Sequence, residues 1–364
     1  MMADWPEGRA VVYCEGAFQT SNGKTAHGLV RRTDRYQVLS VVDSACAGRD
    51  AGEVLEGRPR DIPIFATIGE AVADAGKTGD PATHLVVGLA PDGGRLTPAQ
   101  KKDVFLALEL GLHIDSGLHD FLSEDPAFAA SAAERGLTIR DVRKPPPRDS
   151  LHFFSGKIEQ VTCLKVALLG TDSAIGKRTT AWILTDALNQ AGLETEMVGT
   201  GQTAWLQGAR YGIILDSLIN DFVAGEIEHA VFTAWRERRP AVIIVEGQGS
   251  LMNPAYPGGF EILAAARPEA VIVQHAPARL EYDGFPGYPL HRLEKQVQAI
   301  ELISGRRVAA VTLNHEGLTR EELAKAAQHI TDTTGLPAVD LLWDGPDLIV
   351  DVLRALAAER EARA

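Results

Sequence analysis

The sequence contains few cysteines, few aromatic residues and no long apolar run. Its 364 residues include three cysteines, Cys14, Cys46 and Cys163, and 6% aromatic residues. An odd cysteine count without paired spacing predicts neither a disulfide framework nor a cysteine-rich zinc site. No window reaches the roughly 20 apolar residues of a membrane span, and residues 1–16 lack a signal-peptide pattern. We therefore expect a cytoplasmic protein without a membrane partner.

Basic residues are also in deficit. Lys and Arg total 36 against 49 Asp and Glu, which gives a formal net charge of −13. This balance disfavours broad contact with nucleic-acid phosphates or anionic lipids, so we expect no nucleic-acid partner. Hydrophobic residues at 45% and charged residues at 23% are typical of a folded globular chain. At roughly 150 residues per domain, the length predicts two domains.

Apolar segments of strand length alternate with helix-like segments in both halves of the chain, which predicts two α/β domains with mostly parallel sheets. Three successive prolines at 145–147 interrupt this alternation and favour an extended connector. We place the first domain at residues 1–148 and the second at 149–364. Strands are expected at 10–14, 37–42, 62–66, 83–87, 112–115, 138–142, 164–169, 196–199, 241–246, 270–274 and 308–314. The principal helices are expected at 99–110, 127–135, 177–190, 218–236, 290–304, 320–333 and from 346 onwards.

A glycine-bounded loop joins the predicted strand 164–169 to the predicted helix 177–190. Its glycines allow backbone N–H groups to converge on a phosphate, the helix N-terminus adds partial positive charge, and a lysine supplies a full charge. Strand, glycine loop, lysine and helix in this order predict an anion-binding phosphate loop. The expected cofactor-binding residues are Gly170, Thr171, Asp172, Ser173, Ala174, Ile175, Gly176, Lys177, Arg178 and Thr179.

This loop departs from the standard nucleotide-binding pattern in two ways. Five residues instead of four separate its glycines, and Arg178 occupies the position that usually carries a magnesium-binding Ser or Thr. A guanidinium group cannot ligate a metal. Lys177 and Arg178 side by side would neutralise a pyrophosphate without a metal, which suits a coenzyme A nucleotide at least as well as ATP.

Polar residues that follow predicted strands are the next candidates, because ligands of open α/β sheets bind at the carboxyl ends of the strands. Glu246 ends an apolar strand at a position that resembles Walker B, and it is our first candidate for a general base. Gln248 and Ser250 follow it in a glycine-flanked turn. Asp216 and Asp221 flank a helix start; they act either as alternative catalytic carboxylates or only as helix caps.

Substrate contacts are expected from residues at the ends of other strands. Gln202 and Thr203 follow a glycine turn that either wraps a ligand or is an ordinary flexible turn. His275 ends a strand and is either an acid, a base or a packed core histidine. Arg210 and Arg279 are candidates for bidentate recognition of a substrate carboxylate. The segment from His113 to His119 has metal-like spacing, but no third ligand follows it in a convincing arrangement and it lies in the other domain, so we expect no metal site.

The segment 170–180 resembles the phosphate loop of dethiobiotin synthetase. The same segment, together with 199–203, 216–222, 246–251 and Pro254, resembles more closely a P-loop family formerly of unknown function that includes D-glutamate N-acetyltransferases. That resemblance extends over most of the chain. It implies a Rossmann-like N-terminal domain followed by a P-loop NTPase-like domain.

The resemblance also implies an activity. The expected reaction is transfer of an acetyl group from acetyl-CoA, as co-substrate, to the amine of an amino acid, notably an acidic D-amino acid such as D-glutamate. Glu246 or an aspartate would accept the ammonium proton, and Gln248, Ser250 or backbone N–H groups would stabilise the oxyanion.

Two other functions remain open at this point. An ATP- and magnesium-dependent carboxylate–amine ligase or small-molecule kinase is favoured by the dethiobiotin-synthetase-like loop, although Arg178 argues against it. A nucleotide-responsive binding module needs no chemistry at all. Under each of these hypotheses the two domains make a homodimer or higher homo-oligomer a reasonable expectation.

Overall fold

The computed structural model describes residues 5–77 and 79–362, which form two compact units. The first unit comprises the chain up to Pro145 together with Gln202–Ala209. The second unit comprises Pro146–Gly201 and the chain from Arg210 onwards. The second unit is therefore interrupted in sequence by a short segment of the first.

The first unit contains a six-stranded parallel sheet. Its strands are β1 (Gly8–Tyr13), β2 (Tyr36–Val42), β3 (Ile64–Phe65), β4 (His84–Val87), β5 (His113–Ser116) and β6 (Ile139–Asp141), in the spatial order β3-β2-β1-β4-β5-β6. Its helices include α1 (Lys24–Arg31), α2 (Ala51–Glu56), α3 (Ile68–Lys77), α4 (Pro98–Glu109), α5 (Pro126–Arg135) and, counted in chain order, α7 (Gln202–Leu206). The sheet order reverses beside β1, as in doubly wound folds.

The second unit contains a seven-stranded parallel sheet. Its strands are β7 (Leu164–Gly170), β8 (Thr195–Gly199), β9 (Tyr211–Gly212), β10 (Val242–Glu246), β11 (Ala270–His275), β12 (Val308–Leu313) and β13 (Ala338–Val339), in the order β13-β12-β11-β7-β10-β8-β9. Its helices include α6 (Lys177–Gln190), α8 (Asn220–Arg238), α9 (Phe260–Ala265), α10 (Leu293–Ser304), α11 (Arg320–Thr334) and α12 (Asp347–Glu361).

The middle of this sheet positions the residues of interest. β7 lies between β10 and β11, and all three strands read as nearly continuous apolar runs because both faces of a parallel sheet are covered. In the register, Leu168 of β7 pairs with Glu246, and Gly170 pairs with Gln274. The loop after β7 therefore begins between the carboxyl ends of β10 and β11.

These observations confirm the predicted fold class of two parallel-sheet α/β domains. The segment Gln202–Leu206 forms a helix, and α9, β9 and β13 were not predicted, because each contains six residues or fewer and is too short for a periodic pattern. No helix of residues 5–77 and 79–362 is long and apolar enough to span a membrane.

Candidate functional site

In the first unit, a carboxylate of the protein occupies backbone N–H groups of the loop after β1. Asp43, 1% exposed, follows β2 and accepts hydrogen bonds from the backbone N–H groups of Ala17 and Phe18, at 3.1 and 2.8 Å. It also accepts one from the N–H of Ala45 at 2.9 Å. These amides are occupied by an internal carboxylate. The corresponding loop of the second unit is therefore the better candidate for an anion site.

The phosphate loop of the second unit has the backbone that its sequence predicts. Gly170 ends β7, and α6 begins at Lys177. Gly176 lies just before the helix with φ +99°, a conformation that a residue with a Cβ rarely adopts. The first turn of α6 directs N–H groups without intrahelical partners towards this loop. The geometry is suited to an anion.

The side chain of Lys177 is buried against the loop. Its Nζ donates to the carbonyl of Asp172 at 2.6 Å and to the carbonyl of Gly249 at 2.8 Å. Only 7% of the residue is exposed. The ammonium group therefore links the phosphate loop to the turn that follows β10.

Asp172 connects the phosphate loop to two neighbouring loops. Its carboxylate is fully buried and accepts from the N–H of Ser173 at 2.7 Å and from Nδ2 of Asn253 at 2.8 Å. It also accepts from Nη1 of Arg279 at 3.0 Å and from the N–H of Asp283 at 2.9 Å. With four protein donors, this carboxylate positions the loops, and it contributes little hydrogen-bonding capacity to a ligand.

Side chains from α10 and from the end of β12 hold the carbonyl groups of the loop. Nδ2 of Asn314 donates to the carbonyl of Ile175 at 3.0 Å, and Nε2 of Gln296 donates to the carbonyl of Thr171 at 3.2 Å. These bonds fix the loop in addition to those made by Lys177. Neither amide was predicted from the sequence, because each belongs to an element more than 100 residues further along the chain.

His275 ends β11 beside the start of the loop. Its Nδ1 lies 3.0 Å from the hydroxyl oxygen of Thr171. Burial lowers the pKa of His275 to about 4, and the charge of Glu294 opposes this effect only in part. The imidazole is therefore neutral near pH 7 and fixes the Thr171 side chain.

Glu246 ends β10 in a buried position, with 5% of the residue exposed. The N–H of Thr200 donates to Oε2 of Glu246 at 3.1 Å, and the hydroxyl of Thr200 donates to the Glu246 carbonyl at 2.9 Å. Burial raises the pKa of Glu246 above 4.5, although the charges of Arg178 and Lys177 and the Thr200 hydrogen bond oppose this effect. A carboxylate with a raised pKa is a stronger base than an exposed one.

The turn after Glu246 contains a buried hydroxyl group. Ser250 is 2% exposed, and its Oγ has no hydrogen-bond partner among the residues that the structure describes. The preceding residue, Gly249, supplies the carbonyl that Lys177 binds. An unpaired buried hydroxyl is costly unless a ligand or water satisfies it. Ser250 is therefore a good candidate for a ligand contact.

Gln248 is half-buried and lies against Gly201, where a Cβ would come within 2.6 Å of its side-chain amide. The absence of a side chain at Gly201 thus allows this amide to lie across the end of β8. The strand ends, the loops and the helix start around the phosphate loop carry five candidate residues, which are Lys177, Thr200, Glu246, Gln248 and Ser250.

Other predicted site residues have different surroundings. Asp216 and Asp221 are exposed, the first in a 3₁₀ turn and the second in the first turn of α8, and Arg210 is exposed as well. Gln202 and Thr203 belong to the first unit, where the Thr203 hydroxyl lies 3.0 Å from that of Thr25.

Arg279 has protein partners on both of its terminal nitrogens. Nη1 donates to Asp172, and Nη2 donates to Glu316 at 2.7 Å. Its guanidinium group therefore braces the loops, whereas the sequence predicted recognition of a substrate carboxylate.

Two loops flank the phosphate loop and carry residues that the sequence analysis missed. Asn253, from the turn after β10, and Asp283, from the segment after β11, both bind Asp172. The pair Asn253-Pro254 is a turn signal, and residues 281–289 are rich in glycine, proline and aromatics. Such signals are typical of ordered loops but do not show which contacts the loops make.

The structure also shows the surroundings of the cysteines and the arrangement of possible metal ligands. All three cysteines are buried, and burial raises the pKa of the Cys163 thiol to about 12. A thiol with a raised pKa is a poor nucleophile. Within residues 5–77 and 79–362, no group of three or more His, Cys, Asp or Glu side chains is arranged to hold a metal ion.

Two family models match the chain. One, described as domain of unknown function (DUF1611_C) P-loop domain, matches residues 152–350. The other, described as domain of unknown function (DUF1611_N) Rossmann-like domain, matches residues 44–145. Both descriptions agree with the sheets and with the phosphate loop found here.

Individual relatives cover most of the chain. A protein from Tritonibacter scottomollicae named D-glutamate N-acetyltransferase is 32% identical over 300 residues, which cover 80% of this chain and 85% of that protein. A protein of the same name from Pseudoalteromonas sp is 29% identical over 291 residues, covering 77% and 83%. The crystal structure of a DUF1611 family protein from Anabaena variabilis ATCC 29413 matches with a TM-score of 0.87 and 27% identity, covering 96% of this chain and 99% of that one.

Proposed function

Because this chain belongs to the DUF1611 family, we propose that it is an N-acetyltransferase that moves an acetyl group from acetyl-CoA to the amine of an acidic amino acid such as D-glutamate. Two relatives named D-glutamate N-acetyltransferase, at 32% and 29% identity, support the reaction and the acceptor. The main observation in favour of acetyl-CoA as the donor is the phosphate loop. It places Lys177 and Arg178 at the start of α6, with an arginine where magnesium-dependent loops need a hydroxyl.

The loop would bind the phosphates of CoA without a metal. The N-terminus of α6 and two adjacent cations provide positive charge and N–H donors for a pyrophosphate. Lys177 now donates to two neutral carbonyls. A phosphate oxygen accepts a stronger, charge-assisted hydrogen bond, so we expect Lys177 to exchange at least one carbonyl for the ligand.

The acceptor amine must lose a proton before it can attack the thioester. We assign this task to Glu246, whose raised pKa makes its carboxylate a better base than an ordinary glutamate. Glu246 takes one proton from the ammonium group and later releases it to solvent. The free amine forms the new carbon–nitrogen bond, the carbon–sulfur bond breaks, and the departing thiolate takes a second proton from the nitrogen.

The negative charge that develops on the carbonyl oxygen requires a donor. Ser250 offers a buried Oγ–H that no described residue engages. A donor that is already buried and free of competing bonds stabilises such an oxyanion without reorganisation. Gln248 supplies a second candidate amide in the same turn.

Thermal unfolding with candidate ligands tests the donor. A ligand at 100 times its dissociation constant stabilises the folded state by about 2.7 kcal/mol. We expect acetyl-CoA and CoA to protect the wild-type protein in EDTA, and Lys177→Ala to lose that protection. Protection by ATP only in the presence of Mg²⁺ would contradict the proposal and favour an ATP-dependent ligase or kinase. Protection by a nucleotide without turnover on any amino acid would favour a binding module.

A further inference from the structure

The geometry points to a subsite for the adenine ring of CoA beside the phosphate loop, formed by the aromatic side chains of Tyr256, Phe285 and Tyr288. This inference rests on the proposed use of acetyl-CoA and deepens it. The three rings come from the two loops that Asp172 joins to the phosphate loop.

The first of these loops is a hairpin after β11. The N–H of Leu290 donates to the carbonyl of Leu280 at 2.8 Å, and the N–H of Tyr282 donates to the carbonyl of Tyr288 at 3.0 Å. Tyr282 is 4% exposed and its hydroxyl lies 2.8 Å from Nδ1 of His291. The hairpin is thus anchored by one buried tyrosine, while Tyr288 near its other end is 56% exposed.

The second loop follows β10. Oδ1 of Asn253 accepts from the N–H of Tyr256 at 2.8 Å, and the carbonyl of Tyr256 accepts from the N–H of Ser250 at 3.2 Å. The backbone of Tyr256 is therefore held at both ends of the residue. The residue is nevertheless 58% exposed.

Asp172 fixes the distance of both loops from the phosphate loop. One carboxylate oxygen binds Asn253, and the other binds the N–H of Asp283. Tyr256 is thus two hydrogen bonds away from the phosphate loop through Asn253, and Phe285 lies two residues beyond Asp283. A ligand whose phosphates occupy the loop would have its attached nucleoside within reach of these rings.

The rings themselves are arranged to receive a flat partner. The centroids of Tyr256 and Phe285 are 6.2 Å apart at 66°, and those of Phe285 and Tyr288 are 6.3 Å apart at 80°. In such T-shaped contacts the edge of one ring meets one face of the other, so each contact covers at most one ring face, and Tyr256 and Tyr288 are each more than half exposed. Base stacking on aromatic faces is a common way to bind a nucleobase, and adenine is the flat group that CoA carries next to its phosphates.

The test compares ligands with and without the adenine ring. Binding of acetyl-CoA, adenosine 3′,5′-bisphosphate and the acetyl thioester of 4′-phosphopantetheine would be measured by calorimetry in EDTA. The proteins are the wild type, the double variant Tyr256→Ala/Tyr288→Ala and the control Phe153→Ala, which removes an aromatic side chain of the second unit that is 66% exposed.

We expect the double variant to bind acetyl-CoA and the bisphosphate at least 10-fold more weakly, and the adenine-free thioester as well as the wild type does. Phe153→Ala should bind all three ligands normally. Equal weakening for the adenine-free thioester, or unchanged affinity for acetyl-CoA, would overturn the subsite. A lower oligomeric state of the double variant with unchanged affinity would overturn it too, and would assign the rings to an interface between copies. Failure of the wild type to bind acetyl-CoA would instead contradict the proposed function.

Discussion

Replacing Glu246 by glutamine should make the protein more stable at neutral pH while it abolishes transfer. In the folded protein the pKa of Glu246 lies above its ordinary value of 4.5. The folded state therefore holds this proton more tightly than the unfolded chain. The corresponding stabilisation is full below pH 4.5 and is lost as the pH rises through the raised pKa.

The size of the effect follows from the same pKa. Each pH unit by which the pKa of Glu246 exceeds its ordinary value costs the ionised protein about 1.4 kcal/mol. In a unit of roughly 200 residues, 1 kcal/mol changes the melting temperature by about 2–4 °C. Glutamine keeps an oxygen for the N–H of Thr200, which now donates to Oε2 at 3.1 Å. The variant should thus melt about 3–6 °C higher for each pH unit by which the pKa of Glu246 is raised.

The assay is thermal unfolding of wild type and Glu246→Gln between pH 4.5 and pH 8, combined with initial rates of CoA release. Glu321→Gln serves as the control, because its carboxylate is 79% exposed on α11 and should change neither property. A variant that melts at or below the wild-type temperature at pH 8 would refute the argument that burial disfavours the ionised form of Glu246. Normal turnover by the variant would refute its role as the base.

Three further perturbations test individual contacts. Ser250→Ala removes a hydroxyl that has no partner among the described residues, so the melting temperature should be unchanged or slightly higher. The kcat of this variant should fall about 100-fold. A loss of stability with normal kcat would exclude the oxyanion role. Asp172→Ala leaves Arg279, whose side chain is only 13% exposed, with Glu316 as its remaining ion-pair partner and should cost about 3 kcal/mol in denaturant unfolding. The exposed Asp216→Ala should cost no more than about 0.5 kcal/mol, and equal costs would contradict the bracing role. His275 has a folded pKa of about 4, so as the pH falls the unfolded chain binds this proton first. The wild type should therefore lose about 2.5 kcal/mol of stability between pH 6.5 and pH 4. His275→Asn should reduce this loss, and an equal loss in the variant would contradict the burial of the imidazole.

The parts of the fold that the sequence predicts are those with a long or distinctive pattern. The helix expected at 177–190 is α6, and the strand expected at 164–169 is β7 with one more residue. The glycine loop, the lysine and the apolar strand are contiguous in the sequence, so a local pattern is sufficient for them. The short α7 has no such pattern, and its place in the first unit depends on long-range packing.

In the candidate site, too, the residues with a local sequence pattern could be predicted and those with only long-range partners could not. Lys177 and Glu246 were found because each stands at a strand end with a recognisable local context. The role of Asp172 was not, because its partners Asn253, Arg279 and Asp283 lie 81, 107 and 111 residues away in the sequence. The unpaired hydroxyl of Ser250 is likewise a property of the packed structure, since a sequence does not show which buried group lacks a partner.

The most direct test of the account is an acetyl-transfer assay with purified protein, acetyl-CoA and D-glutamate in the presence of EDTA, in which free CoA thiol and N-acetylglutamate are both quantified. We predict that the two products form in equal amounts without metal, and that Lys177→Ala loses the activity through weaker binding of acetyl-CoA. An absence of product in EDTA that Mg²⁺ and ATP restore would contradict metal-free binding of CoA at the phosphate loop.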